Sequence, residues 1–142
     1  MNYLLDTCVL SELVARKPDR GLVEWIDGVD ESRLYLCAIA IGEIQKGIHK
    51  LAASRRKRVL AEWLETDLLL RFRDRILPID TGVMLAWGAL VADLEQRGTP
   101  MQAVEASTAV DSLVAAVALH QGLILVTRNE ADFANSGVPV LN

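Results

Sequence analysis

The apolar positions of this chain fall into short runs that each end on a polar residue and then pass into a segment of helical spacing. Tyr3-Leu4-Leu5 stops at Asp6-Thr7 and hands over to a short helix through Ser11-Glu12-Leu13, the pattern of a buried strand feeding a helix. Pro18-Asp19 and Gly28 bracket a second helix that carries Trp25. Leu34 to Ala38 is another apolar run, followed by Ile41, Ile44 and Ile48 at helical spacing with Glu43 on the same segment. Leu60, Trp63, Leu64 and Leu68 recur at steps of three and four, which predicts one long amphipathic helix between Ala52 and Phe72.

Ile76-Leu77 is a short strand between Arg73 and Asp80. Val83, Trp87, Leu90, Val91 and Leu94 build a further amphipathic helix that Gly98-Thr99-Pro100 stops, and Met101 to Ser107 reads as a linker. Thr108 then caps a helix through Asp111, Val114, Val117 and Ala118 to Gly122. Leu123 to Val126 is a fully apolar strand ending at Thr127, and Val138 to Leu141 adds an edge strand. Strands alternating with helices, several of them apolar on both faces, predict an α/β fold with a parallel sheet sandwiched between helices. With 142 residues and no repeat, low-complexity tract or linker between units, residues 1–142 form one domain.

Hydrophobic residues make up 51% of the chain and the mean hydropathy is +0.25. No window reaches the roughly 18 unbroken apolar residues of a membrane span; Leu113 to Val126 is interrupted by His120, Gln121 and Gly122. The start has no basic leader and meets Asp6 early, so a cytoplasmic protein without a membrane segment is expected. Cys8 and Cys37 lack zinc-like spacing and read as reduced, small apolar residues. His49 and His120 show no metal-ligand spacing either. The net charge of −4 opposes nucleic-acid binding, so any nucleic acid must be met by a local basic patch or a bound cation.

Ligands of open parallel sheets bind beyond the carboxyl ends of the strands. Asp6, Glu43 and Thr127-Arg128-Asn129 all lie just past such ends, and a right-handed crossover brings Asp111 to the same edge, with Asp132 as a further carboxylate. Carboxylates gathered there repel unless a hard divalent cation offsets their charge, which points to magnesium or manganese and away from zinc. Such a cation activates water and stabilises the leaving oxygen in phosphodiester hydrolysis.

A plainer account stands beside this one. Asp6 could be a helix N-cap; Asp111 lies three residues after Thr108, and Asp132 three after Asn129, the spacing of a capping box. Glu43 has no such partner upstream and apolar neighbours at Ile41 and Ile44. Read from the residues alone, an acidic metal cluster and a set of helix caps both remain open.

Leu4-Leu5-Asp6-Thr7 with Ser11-Glu12, Ala38 to Glu43, Asp111 to Ala116, and Thr127-Arg128-Asn129 with Asp132-Phe133 together resemble the PIN domain of VapC-type toxins across nearly the whole chain. The resemblance implies a three-layer sandwich with a mainly parallel central sheet. It also implies a magnesium- or manganese-dependent endoribonuclease that cuts an RNA of the translation machinery. Asp6, Glu43 and Asp111 take the catalytic and metal-binding roles by position, and Thr7, Thr127, Asn129 and Asp132 support them. The expected partners are an RNA substrate, a cognate antitoxin whose tail lies in a groove over the site, and a second copy of the chain in a homodimer. Helices bearing Trp25 and Trp63 are groove candidates, with core packing as the alternative. Where the family often has Ser and Thr before the Glu, this chain has Cys37 and Ala40, which removes hydroxyls that would brace it. Arg128 is the preferred RNA contact; Arg55-Arg56-Lys57-Arg58 with Arg71, Arg73 and Arg75 is either a phosphate-binding patch or a solvated helix face.

Two other readings compete: a catalytically degenerate module that holds RNA or a protein without cutting, and a receiver- or phosphatase-like domain using aspartyl-phosphate chemistry. The latter calls for Lys after a late strand, where this chain has Arg128.

Overall fold

The computed structural model describes residues 1–96, 106–133 and 136–142. Five strands, β1 (Tyr3–Leu5), β2 (Leu34–Cys37), β3 (Ile76–Leu77), β4 (Ile124–Val126) and β5 (Val140–Leu141), form one all-parallel sheet in the order β3-β2-β1-β4-β5. Between them run α1 (Thr7–Leu13), α2 (Arg20–Gly28), α3 (Ala38–His49), α4 (Arg55–Trp63), α5 (Leu69–Arg71), α6 (Thr81–Gln96) and α7 (Ala106–Gln121). Leu4, Leu5, Leu36 and Leu125 of the three central strands are sealed from solvent, as unbroken apolar strands between two helical layers should be. The two edge strands are only two residues long, which leaves little unpaired backbone. No helix among the described residues is long and apolar enough to cross a membrane.

The strand order decides where a ligand can bind. From β1 the chain steps outward to β2 and then β3, and from β3 it returns over the sheet to β4 on the other side of β1. Right-handed crossovers put α1–α4 on one face for the first two steps and α6–α7 on the opposite face for the return. The direction of winding therefore reverses between β1 and β4, and the crevice at their carboxyl ends is the switch point. Asp6 N–H donates to Val126 O at 3.0 Å there, closing the ladder at that edge.

Helix ends follow the local chemistry. Asp19 Oδ2 accepts from Leu22 N–H at 3.1 Å and Ser54 Oγ from Lys57 N–H at 3.1 Å, starting α2 and α4. Gly122, with φ of 68°, ends α7: its N–H donates to Leu119 O and Leu123 N–H to Ala118 O, the paired bonds of a Schellman turn.

Several expected boundaries are corrected. The single helix from Ala52 to Phe72 begins only at Arg55 and is interrupted by a π-helical turn at Leu64–Leu68. Thr66 Oγ1 donates to Glu62 O within that turn, competing with the backbone ladder, while the turn keeps both Leu64 and Leu68 in the core. Ala38 opens α3 and does not extend β2. Helix α7 already includes Ala106 and Ser107, so Thr108 lies inside it and is not its cap. The expected stop at Gly98-Thr99-Pro100 and the linker residues 101–105 lie outside the described residues.

Candidate active site

Asp6 is the residue around which the switch point is built. It ends β1 and caps α1: Oδ1 accepts from Thr7 N–H at 2.8 Å. Its other oxygen, Oδ2, accepts from Thr127 Oγ1–H at 2.8 Å across the β1/β4 crevice. The residue is 6% exposed, and the two hydrogen bonds satisfy oxygens that would be costly to bury unpaired. Cap and acidic-site readings of Asp6 thus describe one residue doing both.

Thr7 joins Asp6 to Glu43. Its N–H goes to Asp6, and its hydroxyl donates to Glu43 Oε1 at 2.7 Å, bringing the first helix start and α3 together. The expected loss of bracing at Cys37 and Ala40 is partly visible: Cys37 occupies the N-cap of α3 without a side-chain cap hydrogen bond. Burial pushes its thiol up to about 11, against the opposing Ala40 N–H. Glu43 is nevertheless held, from the Thr7 side.

Asp111 sits on the second turn of α7, half-buried, with Ser112 anchoring the helix beside it. Ser112 Oγ donates to Ala109 O at 2.8 Å and accepts from Trp87 Nε1–H at 2.9 Å, tying α7 to α6. The Asp111 carboxyl is raised from the ordinary value to about 6, first by burial and then by the charges of Asp6, Asp132 and Glu43. All four carboxylates therefore share one electrostatic neighbourhood, and the capping-box reading of Asp111 falls with Thr108.

Asn129 and Asp132 follow β4 around a 3-10 turn, Glu130–Phe133. The Asn129 main-chain N–H donates to Thr127 Oγ1 at 3.1 Å, so the Thr127 hydroxyl is fixed from one side as it donates to Asp6 on the other. Asp132 is exposed and acts on Asp111 only through its charge. Arg128 Nη1 donates to Glu12 Oε2 at 3.0 Å while 58% of its side chain remains exposed.

Among the described residues no Lys or Arg forms an ion pair with Asp6, Glu43 or Asp111, and no three His, Cys, Asp or Glu side chains close up into a ready ligand group. The donor set is all oxygen and its charge is uncompensated. That chemistry fits a hard divalent cation, with Asp6, Glu43 and Asp111 as the side chains that would hold it.

Three cations of the basic run, Arg56, Lys57 and Arg75, donate to backbone carbonyls. Arg56 Nη2 donates to Val14 O and Lys57 Nζ to His49 O and Leu51 O, covering the ends of α1 and α3. Arg75 donates to Glu31 O, Leu34 O and Arg71 O and lies over the Phe72 ring, and Arg71 pairs with Glu31. These four have partners within the chain, which favours neither a bare solvated face nor a dedicated phosphate patch for them.

The sequence pattern did not show what two neighbours of the site touch. The Cys8 thiol lies 3.5 Å from both Asp6 Oδ2 and Thr127 Oγ1 and is kept protonated mainly by burial, so it is a site neighbour as well as packing. Glu12 holds Arg128 with one oxygen and the Asp19 N–H with the other. Their partners are 119 and 116 residues away in the chain, beyond the reach of local spacing.

Trp25 and Trp63 are both half-buried against the core and both line cavities. Trp63 borders one of about 370 Å³ between α1, α2 and α4, and one of about 210 Å³ that also reaches Glu43.

The family model described as PIN domain matches residues 3–137. The VapC ribonuclease Y4jK of Sinorhizobium fredii is 30% identical over 98% of this chain and 95% of its own length. Toxin FitB of Neisseria gonorrhoeae is 32% identical over 98% of this chain and 96% of its own. The crystal structure of FitAcB from the same organism superposes with a TM-score of 0.89 and 32% identity, covering 99% of this chain and 96% of that one.

Proposed function

The chain belongs to the PIN-domain family, and on that premise we propose that it is a magnesium- or manganese-dependent endoribonuclease, the toxin of a toxin–antitoxin pair that inhibits translation. The observation that carries this reading is the buried Asp6 carboxylate, oriented from both sides by Thr7 and Thr127 and sharing its field with Glu43 and Asp111 without an ion-pair partner among the described residues. Relatives described as a ribonuclease and as a toxin support it.

Bound there, a divalent cation supplies a more acidic water and charge stabilisation for the displaced oxygen. The protein's own part is positional. Thr127 and the Thr7 N–H fix both oxygens of Asp6, and the Thr7 hydroxyl turns Glu43 toward the same point. Asp111, half-buried and in the field of Asp6, Asp132 and Glu43, would be relieved of their repulsion by a cation bound among them. Arg128, held at the rim by Glu12, meets an RNA phosphate. The apolar cavity beside Glu43 and Trp63 suits the tail of an antitoxin, and a homodimer is the expected assembly.

The test is cleavage of total cellular RNA by the purified chain with magnesium or manganese, with EDTA, Asp6→Asn and Asp111→Asn as controls. Discrete cuts that vanish in all three controls are expected. A folded, antitoxin-free chain that cuts nothing would make the noncatalytic binding module the better account.

A further inference from the structure

A third cavity, of about 480 Å³, opens between α1, α2 and the carboxyl ends of β4 and β5. We propose that it is a nucleobase subsite, receiving the base next to the scissile phosphate, with Trp25 as its stacking surface and Arg128 as the phosphate contact at its mouth. The proposal rests on the nuclease reading and adds to it the place where RNA sequence is read.

Position is the first argument. Thr127 lines this cavity and also donates to Asp6, so a single residue separates the cavity from the acidic cluster. A nucleotide whose phosphate sits at Asp6 has its neighbouring base within reach of this wall. Size is the second: the volume lies in the range of small-molecule pockets and takes a base and its sugar, not a helix.

The lining is the third argument. Val9, Leu22 and Leu141 give an apolar wall, and Trp25 is braced edge-on by Tyr3, with ring centroids 5.1 Å apart. An indole fixed in this way is a stacking platform that costs little further ordering. The rim is polar and fixed by one side chain: Glu12 takes Arg128 Nη1 at 3.0 Å with Oε2 and the Asp19 N–H at 3.0 Å with Oε1. That clamp joins two loops and holds a cation and a carboxylate over an aromatic wall, which matches a base edge and its phosphate and not a purely apolar peptide.

Gly21 makes the test clean. It lines the cavity, and a Cβ placed there meets only Asp19 Oδ2, at an ordinary 3.5 Å. Gly21→Leu therefore puts bulk on the cavity wall with no clash at its Cβ and raises helix propensity, so the variant is expected to fold. The full chain, free of divalent cation, is titrated with the four nucleoside 5′-monophosphates, a mixed-sequence RNA tetranucleotide, ribose 5-phosphate and inorganic phosphate. The readout is the indole N–H resonance of Trp25, assigned with Trp25→Phe, with Trp63 and Trp87 as internal references.

Nucleotides and the tetranucleotide should shift Trp25 saturably and bind roughly tenfold tighter than ribose 5-phosphate. Gly21→Leu should abolish the response without lowering the unfolding temperature, and should flatten base preference in cleavage. Equal binding of ribose 5-phosphate and nucleotides would reduce the site to an anion contact and overturn the proposal, as would a silent Trp25 in a chain that cleaves RNA. Saturable nucleotide binding in a chain that never cleaves would uphold the subsite and sink the nuclease reading alone.

Discussion

Thr127 and Asp6, 121 residues apart in the chain, are joined by a 2.8 Å hydrogen bond in which the hydroxyl donates to Oδ2 of a buried carboxylate. The same hydroxyl accepts the Asn129 N–H, and Asp6 Oδ2 is a closer acceptor for its proton than the Cys8 sulfur at 3.5 Å. Thr127→Val keeps the shape, removes the donor and leaves the Asn129 N–H without its acceptor. A loss of about 1–3 kcal/mol in chemical denaturation is expected, with cleavage reduced about tenfold or more. Thr127→Ser should recover most of both; a valine variant as stable and active as the parent would remove the bond from the account.

Thr7 serves Asp6 through its main chain and Glu43 through its hydroxyl. Thr7→Val spares the first and deletes the second, so Asp6 stays oriented while Glu43 is released. Stability should fall by about 1 kcal/mol. The concentration of magnesium or manganese giving half-maximal cleavage should rise, with rate at saturating metal less affected.

Asp111 gives the metal-free protein a defined pH dependence. Its carboxyl is raised from 3.8 to about 6, chiefly by burial and then by Asp6, Asp132 and Glu43. Below about pH 4 the group is protonated folded or unfolded and costs nothing. Between about 4 and 6 the unfolded chain gives up the proton that the folded chain keeps, and above 6 the folded state bears the full penalty. Stability from this group thus falls as pH rises to about 6 and is flat beyond. The shift corresponds to about 3 kcal/mol, cut to about 1–2 by the partial exposure of the side chain. In melts with EDTA, Asp111→Asn should be more stable than the parent at pH 7 and equal to it at pH 4; equal stability at both would show that neither burial nor the neighbouring carboxylates raise this group.

Arg75 and Arg128 allow a structural cation to be told apart from the proposed RNA contact. Arg75 makes three hydrogen bonds to main-chain carbonyls and covers Phe72, so Arg75→Ala should cost about 2–3 kcal/mol of stability and leave the salt dependence of RNA binding unchanged. Arg128→Ala should do the reverse, with stability nearly constant and the slope of log affinity against log salt reduced by about one. Filter-binding titrations over a salt series measure both.

Asp6 was legible because it directly follows a short apolar run, and an apolar run that stops at a carboxylate marks the end of a buried strand. Glu43 was read on the helix that follows the second strand, and Asp111 through the crossover rule. The error at Thr108 came from a capping signal that is purely local: Thr-x-x-Asp occurs inside α7 as readily as at its start. The unbroken helix expected from Ala52 to Phe72 failed for a related reason, since a π turn at Leu64–Leu68 preserves the apolar spacing while changing the hydrogen bonding.

By itself, the sequence determined the alternation of strands and helices, the parallel sheet and the carboxylates at its carboxyl edge, because periodicity and burial act over a few residues at a time. Only the tertiary structure decided the partners: Thr127 on Asp6, Thr7 on Glu43, Cys8 beneath them, Glu12 clamping Arg128, and Arg56, Lys57 and Arg75 turned onto backbone carbonyls. Those contacts depend on the strand order β3-β2-β1-β4-β5, which sets β4 beside β1, and no local pattern encodes which strand lies beside which.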